Sequence, residues 1–326
     1  MRRFLLGAAA LAAVSAGSAC SSEEDDGGGS TASCVPSAAE CYFAGADGPG
    51  AECLAKADNT GQTKWQGRLS SILVKYPESL AGEFVQTTVI DKGISLNQPV
   101  CNENGEGTFS WLFEIDSTTS KMKTGGSLPV SDPKAGACFV TLPNAAVPVA
   151  PIEASVTLSG NTFSAKGLDV NVPIFLSPTE LTNPIILPLH EVEIQATFND
   201  ANHNCAGKFN GAELDPNDSC APDLKVDPPQ RAWTPGGSLK GYITVLEADK
   251  VVIDDLDSTL CVLLAGNDWK GPAKDCASDA EWVAGKRPDG DWCSQTNAPA
   301  TAACKDAFKM EADFSASAFK ITGDCK

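Results

Sequence analysis

The sequence predicts a mainly β chain: a disulfide-rich antiparallel β-sandwich or barrel-like domain with a few short helices. Three observations carry that prediction. Short stretches alternate apolar and polar residues with the period of two of a half-buried strand, clearest in T-F-S-W-L-F-E-I-D from Thr108 to Asp116. Gly, Pro, Asn and Ser clusters separate such stretches as turns do. The 326 residues include 13 cysteines, a supply that suits bridging in an exported chain.

The export signal comes first. Arg2 and Arg3 precede an apolar run from Phe4 to Val14, and small residues follow up to Ala19, so residues 1 to 19 read as a secretory signal peptide. The run is shorter than the roughly 20 residues that a bilayer core requires, and no later segment approaches that length. Gly17-Ser18-Ala19-Cys20 resembles the lipobox of bacterial lipoproteins. The resemblance implies a diacylglycerol on the Cys20 thiol, cleavage just before it, and acylation of the new amine. Gly17 stands where that family usually has Leu, Val or Ile, and Gly17 with Ala19 would also suit an ordinary signal-peptidase site. Withdrawing Cys20 leaves 12 cysteines, which can form six bridges with none over. Two or three acyl chains, at about 0.8 kcal/mol per buried CH₂, would anchor the chain permanently.

Residues 20 to 33 then carry the lipidated Cys20 and an acidic tether, S-S-E-E-D-D-G-G-G-S-T-A-S, with almost nothing able to pack. Its 13 residues reach at most about 45 Å, enough to hold a folded body clear of the headgroups. In the lipoproteins it resembles, Ser21 after the anchor is compatible with transfer to the outer membrane. Cys34, Cys41 and Cys53 fall in a small-residue stretch, 34 to 58, expected to be a cysteine-rich flap. Three cysteines cannot all pair among themselves, so at least one must reach elsewhere.

The β-rich domain is expected over 59 to 326. In 108 to 116 the apolar face is Phe109, Trp111, Phe113 and Ile115, leaving Leu112 among the polar partners. Leu80, Phe84, Val85, Val89 and Ile90 recur at helical spacing and predict a short helix over 77 to 90. Further strands are expected at 137 to 142, 152 to 158, 162 to 165 and 168 to 176, with Ser159-Gly160-Asn161 as a hairpin turn. Prolines at 143, 148, 151, 173, 178, 184 and 188 argue for edge strands rather than one long sheet. Val192, Ile194, Ala196 and Phe198 alternate with polar residues as another strand. A polar loop occupies 200 to 222, where Cys205 and Cys220 are close enough in sequence to bridge. Thr244 and Glu247 form a T-x-x-E capping box that starts a helix at Val245, within a helical part over 244 to 265 whose second helix begins near Leu260. Residues 266 to 307, with Cys276, Cys293 and Cys304, read as a stapled loop region. F-K-M-E-A-D-F at 308 to 314 predicts a last strand that re-enters the sheet and leaves Cys325 tied nearby.

The acidic tether, G-T-F-S-W-L-F-E-I-D, N-C-A-G-K-F-N-G-A-E-L-D-P-N-D-S-C and G-Y-I-T-V-L-E-A-D together resemble predicted lipoproteins of myxobacteria. That resemblance implies an envelope habitat and no particular activity.

Charge narrows the partners. Formal net charge is -18, or -20 once Arg2 and Arg3 leave with the signal, so nucleic acid and bare anionic lipid are poor partners. His190 belongs at the edge of the core, on the same side as Val192 and Ile194. His203, Cys205 and Cys220 could hold zinc, but export favours the bridge. Asp200, Asn202 and Asn204 imitate the first ligands of a calcium loop, with Asp215 and Asp218 as further oxygens. Cys205 then replaces the glycine that such a loop needs, and turn capping is the other reading. Trp269, Trp282 and Trp292 each follow an acid, as a sugar-stacking site would, or else anchor a loop region that lacks its own core. The motifs G-x-S-x-G, H-E-x-x-H, C-x-x-C-H and the P-loop are absent, and no cofactor is expected. The sequence therefore points to an envelope-anchored, non-enzymatic lipoprotein that binds a surface polymer (a glycan) or an envelope protein. An exported glycan hydrolase using paired carboxylates is the alternative.

Overall fold

Alternating side chains build nine strands that follow one another around a single curved sheet. They are β1 (Lys64–Tyr76), β2 (Trp111–Asp116), β3 (Lys121–Gly126), β4 (Ile152–Ser155), β5 (Thr157–Ser159), β6 (Thr162–Ile174), β7 (Ile185–Thr197), β8 (Gly237–Thr244) and β9 (Ala307–Ala318). The structure, a computed structural model, describes residues 53–325 apart from 83–85, 87–89, 91, 95–106, 131, 146, 176, 178, 180, 182–183, 212–213, 216–220, 224, 254–256, 266–273 and 278–287. The signal peptide, Cys20, the tether, Cys34, Cys41, Cys101, Asp218, Cys220, Trp269 and Trp282 lie outside the described residues.

Neighbours in the sheet run β4-β3-β2-β1-β9-β8-β7-β6-β5, and every pairing is antiparallel. Chain order and spatial order thus coincide, as in an up-and-down meander. The two ends of the sheet belong to one stretch of chain: β4 pairs with β3, β5 pairs with β6, and only Val156 separates β4 from β5. That stretch joins both ends and curls the sheet into a barrel-like wall, which removes most of the exposed edge. The fold is the mainly β, disulfide-rich, barrel-like one that the alternation predicts.

Trp65, Leu69, Phe113, Ile115, Met122, Phe163, Ile194 and Phe314 share the central core. Two glycines admit its rings. A Cβ on Gly67 would stand 2.3 Å from Phe113 Cζ, and one on Gly237 would stand 2.4 Å from Phe314 Cζ. Outside the wall, Ala137–Phe139 and Ile321–Asp324 pair in parallel and are bridged by Cys138–Cys325. Leu112, which alternation put with the polar residues, is fully buried with Phe139 and Phe319 beneath this outer layer. The terminal strand re-enters the sheet as β9, and Cys325 is tied nearby, as expected.

Several elements differ from the sequence expectations. The strands expected at 162 to 165 and 168 to 176 are one strand, β6, interrupted by a bulge at Gly167, which has φ +68°. Pro173 and Pro188 lie inside long strands rather than marking edges of short ones. They are tolerated because they sit where β6 and β7 pair only with each other: β5 stops opposite Ser164, and β8 stops opposite His190. Of the helix expected over 77 to 90, α1 (Glu78–Ala81) forms the start and is followed by Gly82 in extended conformation, and Gln86 and Ile90 are again helical; residues 83–85 and 87–89 lie outside the described residues. A second short helix, α2 (Lys92–Ile94), follows before β2. The capping box forms as predicted, with the Glu247 N–H donating to Thr244 Oγ1 (3.2 Å) at the head of α3 (Val245–Ala248). Helix α4 (Leu260–Ala265) follows it.

The expected Cys205–Cys220 bridge is corrected. Cys205 is bonded to Cys53, Cα to Cα 5.5 Å. The region read as a polar loop contains a strand, Cys205–Phe209, that pairs with β9 through Ala206–Ala316 and Ser317–Cys205. The Lys56 N–H donates to Ala318 O (2.9 Å) on the same stretch, so sheet pairing sets Cys53 and Cys205 side by side. One of the three flap cysteines does reach elsewhere. Cys261–Cys276 and Cys293–Cys304 complete the bridges among the described residues.

Candidate functional site

The outward face of β9, β8, β7, β6 and β5 carries a row of polar side chains, one from each strand: Asp313, Ser238, Gln195, Ser164 and Thr157. Each is the direct cross-strand partner of the next. Two residues further along each strand runs a second outward row, Glu311, Lys240 and Glu193, again in register. Between the rows, Leu239, Ile194 and Ala165 turn their side chains into the core and Ala312 is buried, as the period of two requires.

A trough of about 770 Å³ runs across these strands between and beside the two rows, with Lys75, Ser155 and Lys166 completing its rim. Its charges balance. Lys75, Lys166 and Lys240 face Glu193, Glu311 and Asp313, three against three, on a chain of net charge -18. Each acid is engaged by an ammonium group: Lys75 with Asp313 at 3.2 Å, Lys240 with Glu193 at 3.0 Å, and Lys309 with Glu311 at 2.7 Å. The side chains of Ser238, Gln195, Ser164 and Thr157, in contrast, make no hydrogen bond among the described residues. The trough thus offers uncommitted hydroxyl and amide groups between ion pairs that cancel.

Trp292 lies outside this trough. It pairs with Ala307 in front of β9, donates from Nε1 to Asn297 Oδ1 (3.0 Å), and has the Lys309 ammonium over its ring at 5.5 Å. The same ammonium lies over Tyr76 at 5.7 Å. Asp291, the acid before Trp292, accepts from the Tyr76 hydroxyl and from the Lys309 N–H (2.8 Å). That hydrogen bond, with burial and nearby acids, raises the Tyr76 phenol to about 12. These contacts pin the 291 to 304 loop to the ends of β1 and β9, the anchoring arrangement for an indole in a loop without its own core.

Of the calcium-like set, Asp200 Oδ1 accepts from the Asn202 N–H (2.8 Å) in a side-chain turn. Asn204 is buried, accepts from the Asn59 N–H (2.7 Å) and donates to Asp58 Oδ1 (3.0 Å). His203 stacks on Trp65, centroids 3.6 Å apart, and burial pulls its pKa down. The Cys205 sulfur is in a bridge and is not a thiolate that zinc could use.

His190 stands at the edge of the core between two acids: Nδ1 is 3.2 Å from Asp169 and Nε2 is 2.9 Å from Glu247. Burial opposes its charge, but Glu247 and then Asp169 outweigh that opposition and raise its pKa.

The trough escaped sequence reading because its residues are common surface types scattered over five strands. Only the register puts them in line. The chain matches no protein-family model, no curated protein and no solved structure. Four disulfides among the described residues accord with an oxidising, exported environment.

Proposed function

We propose that this chain is an exported lipoprotein, anchored at the outer membrane through Cys20, whose barrel-like body binds a surface polymer without catalysing a reaction. The observation that carries the binding reading is the trough, with its uncommitted Ser238, Gln195, Ser164 and Thr157. Protein partners are held by buried apolar and aromatic anchors, whereas the large apolar side chains exposed among the described residues are Leu181, Val226, Leu246 and Val252. None of these lines the trough. The anchor reading is supported by the leader, by Gly17-Ser18-Ala19-Cys20, and by the odd cysteine that Cys20 accounts for.

Two measurements test the proposal. The Cys20→Ser chain is expected in the soluble fraction, and retention on membranes after a high-salt wash would refute the anchor. The soluble Cys20→Ser chain is then expected to co-sediment with surface polymer stripped of protein. Failure to do so would refute the polymer reading.

A further inference from the structure

We infer that the polymer taken by the trough is an uncharged, extended polysaccharide lying across the strands, with successive sugars over successive strands. This rests on the polymer-binding reading above and narrows it to one ligand chemistry. The first argument is electrostatic. Three lysines and three acids line the trough; Lys75 holds Asp313, Lys240 holds Glu193, and Lys309, just beyond the lining, holds Glu311. A polyanion would need a surplus of lysine, and a polycation a surplus of acid. The lining itself carries neither surplus, and counting Lys309 just beyond it adds a single ammonium, although the chain as a whole is strongly acidic.

The second argument is geometric. Cross-strand partners repeat at the strand spacing of about 4.8 Å, close to the advance of one pyranose ring in an extended chain. Ser238, Gln195, Ser164 and Thr157 therefore present one hydroxyl or amide per ring. Such groups donate and accept, as sugar hydroxyls do.

The third argument concerns strength. No aromatic residue lines the trough, so each contact is a solvent-competing hydrogen bond of modest net worth. Binding by one trough is weak, and many copies anchored on one membrane would hold a long polymer by multivalency.

Affinity electrophoresis of the Cys20→Ser chain through gels containing a neutral glucan, a neutral mannan, polygalacturonate or chitosan tests the inference. Retardation by at least one neutral polymer is expected, unchanged between low and high salt because no net charge is neutralised. The double variant Gln195→Ala/Ser238→Ala is expected to weaken that binding about tenfold, equivalent to about 1.4 kcal/mol. Both positions are exposed, and an unchanged unfolding midpoint would show that the fold is intact. Retardation only by a charged polymer, abolished by salt, would overturn the inference while leaving the polymer reading standing. Neutral-polymer binding that survives the double variant would overturn the trough as the site. Retardation by none of the four, with co-sedimentation on stripped surface polymer retained, would overturn the neutral-glycan assignment. Loss of both would overturn the wider reading as well.

Discussion

Cys205 is bonded to Cys53, which lies 152 residues earlier in the chain, and not to the nearer Cys220. The bridge ties the first described residues to the strand Cys205–Phe209 and, through it, to β9.

Closing so long a loop restricts the unfolded chain strongly. Cys53→Ser and Cys205→Ser are each expected to lower stability by about 2–4 kcal/mol, measured by urea unfolding. Non-reducing peptide mapping is expected to find the 53–205 linkage. A 205–220 linkage would refute the pairing.

His190 joins β7 to α3 through Glu247 and to β6 through Asp169. Its folded pKa is raised, so its contribution is complete below the unfolded value of about 6.5 and is lost as pH climbs through the folded value. Burial opposes the Glu247 charge, but Thr244 and His190 hold its pKa below the ordinary value, so its share is lost as pH falls through that lowered value. His190→Gln is therefore expected to cost about 1 kcal/mol near pH 5.5, where both groups are charged, and progressively less at alkaline pH. Equal loss at both ends of that range, in thermal unfolding, would contradict the assignment.

Gly67 faces Phe113, the central aromatic of β2. A methyl group at Gly67 would stand 2.3 Å from the ring, so Gly67→Ala must displace Phe113 from the core. The expected loss is about 1–3 kcal/mol by chemical denaturation. Gly160→Ala, at a turn where nothing stands within 4 Å but φ is +57°, serves as a contrast: its smaller loss reflects backbone strain alone.

Arg68 is a buried cation that is paired with no carboxylate among the described residues. Burial lowers its pKa to about 9, which still leaves it charged at neutral pH. Its guanidinium donates to Ser110 Oγ (2.7 Å) and to the carbonyls of Leu69 (2.9 Å), Ile94 (2.5 Å) and Phe109 (3.0 Å). That fork pins Ile94 at the end of α2 and Phe109 and Ser110 ahead of β2 onto β1. Arg68→Met and Arg68→Lys are each expected to cost about 2 kcal/mol or more, because neither side chain spans the four acceptors. A lysine variant as stable as the wild type would show that charge matters there and geometry does not.

The sequence by itself determined the local elements. Alternation in 108 to 116, 190 to 198 and 308 to 314 marks β2, β7 and β9, and Thr244 with Glu247 marks the start of α3, because each signal lies within a few residues of chain. The burial of Leu112, by contrast, depends on an outer layer assembled from residues 137 to 139 and 319 to 321. The choice of Cys53 for Cys205 depends on strand pairing across 152 residues, which overrides the nearer cysteine. The trough is the furthest from legible in the sequence: Asp313, Ser238, Gln195, Ser164 and Thr157 are unremarkable one by one. Only the tertiary structure aligned them, since register is a property of strand pairs, and a slip of one residue would turn the row into the core.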